Sequence, residues 1–199
     1  EVAINQSENS GDIVGSRDEG IGGLVGYTHH DSAFSNSSNS GSVTGGESLG
    51  GLLGYANSDV SIASSINSGE VSGIGSYTGG LVGYADANLN LESSQNSGTV
   101  SSTTDYVAGL SGYAGGNAIV TSSFNIASVS GTDSVGGLLG YVEVSTLVVA
   151  SSNSGTVMGT SIVAGLIGEV TLDATVSSSF NQGDISGSSM IGGLAGYVE

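Results

Sequence analysis

The chain has no cysteine, no proline, no tryptophan and no lysine, and Arg17 is its only permanent cation. Without cysteine there is neither a disulfide framework nor a thiolate metal site, and the redox compartment is left open. Eighteen Asp and Glu against that one arginine give a formal net charge of −17. Such a chain cannot neutralise a phosphate backbone, which excludes nucleic acid as a partner. Anionic membrane surfaces are excluded for the same reason. No apolar run approaches the roughly 20 residues that span a bilayer, and the candidate from Ile162 to Ile167 is short and contains glycine, so no membrane insertion is expected. No basic, then hydrophobic, leader pattern follows Glu1, so no signal peptide is expected in this chain.

What is present is glycine, 36 of 199 residues, with abundant serine. That composition suits a flexible linker, but linkers lack regularly placed aliphatics. Here GGLVGY at Gly22 to Tyr27 returns as GGLLGY, GGLVGY, AGLSGY, GGLLGY, AGLIGE and GGLAGY. Its leucine falls at Leu24, Leu52, Leu81, Leu110, Leu138, Leu166 and Leu194, in steps of 28 or 29 residues. A second landmark stands at Asn9, Asn39, Asn67, Asn96, Asn125, Asn153 and Asn181. Two landmarks in fixed order, seven times, define an internal repeat. From Leu to the next Asn is always 15 residues, whereas Asn to Leu takes 13, 14 or 15. Only that second corner accepts insertions, and its longest version, carrying Arg17, Asp18 and Glu19, is expected as a surface loop.

The apolar positions between the landmarks are β-rich. Four residues after each Asn stands Ile13, Val43, Val71, Val100, Val129, Val157 or Ile185, always β-branched. Five residues before each Asn stands Ile4, Phe34, Ile62, Leu91, Val120, Val148 or Val176, often with a second apolar residue two positions earlier. With the Gly-Leu segment these make three short strands per repeat, and no stretch has helical periodicity. A propeller blade takes about 40 residues and four strands, so repeats of 28 predict an all-β parallel β-solenoid, or β-helix, of seven coils over residues 1–199. Stacked at about 4.8 Å, the coils turn each column into a ladder, with the aliphatic ladders filling the interior.

The polar columns fit the same scheme. Ser7, Ser37, Ser65, Ser94, Ser123, Ser151 and Ser179 stand two residues before each Asn. An inward-turned Asn at a corner can bond both its own turn and the Asn of the next coil, which satisfies buried polar groups. A ligand groove lined by these residues is the alternative. Glycine two residues after Asn, replaced once by Ala127, is expected to supply a turn of unusual φ.

Gly-Leu-x-Gly in repeats near 28 residues resembles the GLUG motif, found in repeat regions of bacterial surface proteins such as filamentous adhesins and in non-catalytic parts of some IgA-cleaving metallopeptidases. All seven repeats match, with Ala108 and Ala164 replacing the first glycine and Glu169 replacing one tyrosine. The resemblance implies an extracellular, cell-surface repeat region and transfers no catalytic residue. The zinc-peptidase motif H-E-x-x-H is absent. The chain is accordingly expected to be a non-enzymatic structural or adhesive segment of a surface protein or fibre. Its expected partners are further repeats or copies of itself end to end, together with glycans or host and cell-surface proteins.

Candidate chemistry is sparse. His29 and His30 sit side by side next to Asp31, and adjacent strand residues point to opposite faces, so they are read as solvated corner residues rather than as a metal site. Carbohydrate-active β-helices need converging carboxylates, whereas Asp12, Glu70 and Asp184 share a column two to four coils apart. Asp31, Asp59, Asn88, Asn117, Ser145 and Asp173 form another column, expected to make Asx turns. Asp31 with Asp59 is its best pair for weak calcium binding, and no other cofactor is expected. Tyr27, Tyr55, Tyr84, Tyr113, Tyr141 and Tyr197 form an aromatic column read as outward-facing and suited to sugars or protein partners. An ice-binding face would want ordered threonine, which is scarce. Leu110 is assigned to the core and Ser111, its neighbour, to a less critical place. Because terminal coils need caps, the chain is expected to be a segment of a longer array or a unit that stacks end to end.

Overall fold

The computed structural model describes residues 1–16 and 20–199, so the expected loop at Arg17, Asp18 and Glu19 lies outside the described residues. The chain is a parallel β-solenoid of seven coils, and the described residues hold strands and turns but no helix. One coil serves for all. It runs through strands Val60–Ala63, Ile66–Asn67, Val71–Gly73, Thr78–Gly79 and Val82–Ala85. Each of these segments pairs in parallel with its counterparts above and below, giving five sheets of seven strands, numbered here one to five in that order.

Three strands per coil are thus resolved into five. The column before Asn forms sheet one and the column after it forms sheet three. The Gly-Leu segment bends at the leucine into sheets four and five, because Leu81 lies in the turn between Thr78–Gly79 and Val82–Ala85. The Asn corner itself pairs as the two-residue sheet two, Asn67 opposite Asn39 and Asn96. Coils in register leave corner amides facing corner carbonyls, so even two residues pair.

The interior divides into two aliphatic bodies. Leu52, Leu81, Leu110, Leu138 and Leu166 pack with Phe34, Ile62, Leu91, Val120 and Val148 from sheet one and with residues of sheet five. Val43, Val71, Val100, Val129 and Val157 of sheet three pack with Leu49, Val107, Val135 and Val163 of sheet four. Between these bodies the Asn corner meets the Gly-Leu corner. A Cβ placed on Gly51, Gly80 or Gly109, the residue just before the leucine, would lie 2.3, 2.4 and 2.3 Å from the Cγ of Asn67, Asn96 and Asn125. Glycine there admits the amide.

The asparagines then bond upward without a break. Nδ2 of Asn9, Asn39, Asn67, Asn96, Asn125 and Asn153 donates to Oδ1 of the next Asn at 2.7–2.9 Å. The same nitrogen donates to the turn carbonyl two residues on, as from Asn96 to Gly98 at 2.8 Å. Serine makes a second ladder: the Ser65 amide donates to Ser94 Oγ at 3.2 Å, and Ser94 Oγ donates to the Glu92 carbonyl at 2.9 Å. Both were expected from the columns. Asn39 to Asn153 and Ser37 to Ser151 are buried, so these bonds satisfy groups that water does not reach.

The glycines after Asn have another reason than the one expected. Among the described residues only Gly20 is a glycine with positive φ. A Cβ on Gly41, Gly69 or Gly98 would instead lie 1.9–2.1 Å from the turn carbonyl of the preceding coil. Close stacking of turns selects glycine there. The left-handed conformation falls on two other columns: Gln6, Asn36, Ser64, Ser93, Ser122, Ala150 and Ser178 near φ +50°, and Ser48, Tyr77, Tyr106, Ser134, Ile162 and Met190 at +49° to +64°.

Ser111 is not peripheral. It is as buried as Leu110 and occupies the inward column of sheet five between Val82 and Leu139, its hydroxyl donating to the Tyr113 carbonyl at 3.1 Å. The chain turns at Leu110, so consecutive residues both face inward. Thr78 sits likewise between Leu49 and Val107, and its buried hydroxyl has no partner. Thr78→Val should therefore raise stability, by about 1 kcal/mol or more, because an unsatisfied hydroxyl is removed at constant shape. Leu110→Ala should cost roughly 2–5 kcal/mol, because coils above and below hold the cavity open. Urea unfolding of the three proteins decides this, and a destabilised Thr78→Val chain would refute the assignment of its hydroxyl.

Candidate functional site

The exterior carries two ordered features, an aromatic array beside sheet five and a groove along sheet one. In Val82–Ala85 the side chains of Val82 and Ala85 are buried, and Tyr84 projects to the surface beside Gly83. Parallel register places Tyr27, Tyr55, Tyr84, Tyr113 and Tyr141 directly over one another. Their rings stack with centroids 5.0, 4.7, 4.4 and 5.1 Å apart and planes within 11°. The column faces outward, as the sequence reading had it. Ring faces are nevertheless taken up by one another, and the column presents edges and hydroxyls to solvent. A sugar needs an open face, so stacking removes the platform that the column suggested.

Two tyrosines outside the column complete the array. Tyr77 and Tyr106, at left-handed positions four residues before the leucines, stack on each other at 5.3 Å. Tyr77 stands edge-on to Tyr84 at 4.9 Å and to Tyr113 at 5.4 Å, and Tyr106 stands edge-on to Tyr141 at 5.3 Å. Sequence reasoning missed both. Their common offset from Leu81 and Leu110 was the available signal, but it occurs in only two coils.

The phenols meet acids and amides two residues beyond the column. Tyr113 donates to Glu143 Oε2 at 2.5 Å, Tyr84 to Asp86 Oδ1 at 3.3 Å, and Tyr27 to the Asn57 side chain. Glu169 replaces tyrosine in the sixth coil and accepts from Ser134 Oγ at 2.6 Å, which ends the continuous stack. Desolvation raises the Tyr84 phenol to about 12, with the negative charge of Asp86 adding to it. Desolvation also raises Tyr113, helped by its hydrogen bond to Glu143, as well as Tyr106 and Tyr141.

The groove lies on the outer face of sheet one. One section, of about 450 Å³, includes Asp31, Ala33, Asp59, Ser61, Asn88 and Asn90. The next, of about 420 Å³, includes Ser145, Leu147, Asp173 and Thr175, and both share Asn117 and Ile119. Asp31 and Asp59 occupy successive levels of its wall, since Ser32 pairs with Val60. The Asp59 carboxylate accepts from the amide and side chain of Asn88 at 3.2 and 3.1 Å, Asn88 accepts both groups of Asn117 at 3.1 Å, and Asn117 accepts from Ser145 at 2.6 Å. The column was expected to make turns within each coil. From Asp59 to Ser145 it instead ties each coil to the next, because the residue above offers a donor directly over the side chain. Asp12 does the same, accepting from the Ser42 amide and hydroxyl, and these bonds lower its carboxyl from the usual value.

His29 and His30 are exposed at their corner, with His29 edge-on to Tyr27 at 4.6 Å. Among the described residues no group of three or more His, Asp or Glu is placed to hold a metal ion. Residues 18–44 match the family model described as the GLUG motif, a stretch that holds the first Gly-Leu-x-Gly and the Asn of the second coil. No curated protein and no solved structure matches the chain.

The raised phenols set a pH dependence. An unfolded tyrosine ionises near 10, whereas folded Tyr84 holds its proton to about 12. Between these values the unfolded chain has shed protons that the folded chain keeps. Stability should therefore fall as pH rises through this window and be complete below it. A titration followed by tyrosinate absorbance and circular dichroism should show phenol ionisation coinciding with loss of strands. Smooth ionisation near pH 10 with the solenoid intact would contradict the desolvated array.

Proposed function

We propose that this run of GLUG-motif coils is a stiff, non-enzymatic rod of an extracellular surface protein or fibre, acting as a spacer and adhesive face. That it is a structural repeat follows from the fold and the motif. The observation that carries the rest is the continuity of the Asn ladder, which joins all seven coils through side-chain bonds that are buried from Asn39 to Asn153. A load applied along the axis meets many bonds in parallel at each coil boundary. An extracellular setting is supported by the acidic surface and by the near absence of sites for basic-residue proteases, Arg17 being the only Lys or Arg. Adhesion to glycans is favoured by the groove, whose wall of Asp31, Asp59, Asn88 and Asn117 offers hydrogen-bonding groups at each level. Weak calcium binding at Asp31 and Asp59 belongs to the same reading. Further coils or second copies would continue the ladders at either end.

Pulling a single chain from its two ends tests the rod. Release of each coil of 28–29 residues should add roughly 90–100 Å of contour, in repeated steps. Extension without discrete steps would overturn it. Antibody against the chain should also label intact source cells, and labelling only after permeabilisation would overturn the extracellular assignment.

A further inference from the structure

We propose that the tyrosine array is an oxidative cross-linking site, at which a one-electron oxidant such as a haem peroxidase with hydrogen peroxide joins Tyr84 to Tyr113 as dityrosine and locks neighbouring coils covalently. This goes beyond the rod and does not depend on where the rod is displayed. Seven tyrosines, Tyr27, Tyr55, Tyr77, Tyr84, Tyr106, Tyr113 and Tyr141, form one connected set of ring contacts. Tyr84 and Tyr113 are the tightest pair, with centroids 4.4 Å apart and planes 3° from parallel. They stand opposite each other in register, which brings the two rings face to face. Both are half-buried, so their edges are open to an electron acceptor.

Oxidation of a phenol at neutral pH requires its proton to leave with the electron. Tyr113 has the acceptor in place, Glu143 Oε2 at 2.5 Å, and Tyr84 has Asp86 at 3.3 Å. Each phenol gives up one electron to the oxidant and its O–H proton by way of the carboxylate. The two phenoxyls form one carbon–carbon bond between positions ortho to their oxygens, and the hydrogens on those carbons return to the oxygens. Two electrons and two protons leave in all, and they reduce one hydrogen peroxide to two waters. Stacking holds the two radicals together, so coupling within the molecule precedes encounter with another chain. Glu169 separates Tyr197 from the continuous stack, which makes Tyr197 an internal control.

The full chain, dilute and folded, is treated with peroxidase and limiting peroxide beside the same chain in urea. Asp86, Glu92 and Asp105 lie between the two tyrosines, so cleavage after acidic residues leaves them joined only through the new bond. A monomer lighter by two hydrogen atoms, with the Tyr84 and Tyr113 peptides linked and formed at least about tenfold faster than in urea, supports the proposal. Tyr113→Phe should keep the strands, as read by circular dichroism, abolish that link and leave coupling of Tyr27 with Tyr55. Glu143→Gln should slow the link at least about tenfold with the fold unchanged, since it removes the proton acceptor and little else. Links only between molecules, links dominated by Tyr197, or equal rates folded and unfolded would overturn the site. An unchanged rate in Glu143→Gln would overturn the role of the carboxylate.

Discussion

The solenoid depends on one contact, the asparagine amide seated against the glycine that precedes each motif leucine. The amide needs a donor and an acceptor in a place closed to water, and it finds both along the axis and in its own turn. It reaches that place only because the facing residue has no side chain. The contact stands between the two aliphatic bodies of the core and fixes the cross-section there. Once each coil must offer its amide to the next, register follows for the sheets around it. Exchange of an asparagine for an apolar residue would leave the neighbours above and below unsatisfied, a cost that falls on three coils rather than one.

This hierarchy separates what was legible in the sequence from what was not. The coil number, the parallel all-β fold and both polar ladders could be read, because Asn, Ser and the β-branched column recur at fixed offsets. Residue identity at those places is dictated by shape and hydrogen bonding together. The division into five sheets could not be read, since Ile66–Asn67 and Thr78–Gly79 are too short to show a period. The left-handed columns were hidden because residues as different as Gln6, Ala150 and Ile162 occupy them. Glycine after Asn was assigned to backbone freedom when close approach of successive turns is the cause. Ser111 read as polar and peripheral, yet it lies inside, as does Thr78, each the one polar residue in an otherwise aliphatic ladder.

On the outside, position is inherited and chemistry is free. Parallel register converts any residue repeated at an outward offset into a row along the axis. Five tyrosines thereby become a stack, and Asp, Asn and Ser become the wall of a groove. The direction of the tyrosine column was legible, since the sixth coil accepts Glu169 there. The use of the ring faces was not, because it depends on distances between coils. The two outer features are complementary in role: one offers hydrogen-bonding groups along an open channel, and the other concentrates oxidisable rings beside carboxylates.

Side-chain amide hydrogen exchange, followed by NMR on the intact chain, tests the central contact most directly. The Nδ2 protons of Asn39, Asn67, Asn96, Asn125 and Asn153 should exchange only on global unfolding, far more slowly than those of exposed Asn90. Exchange of the ladder amides at the rate of Asn90 would show that they open independently of the coils, and would contradict the account.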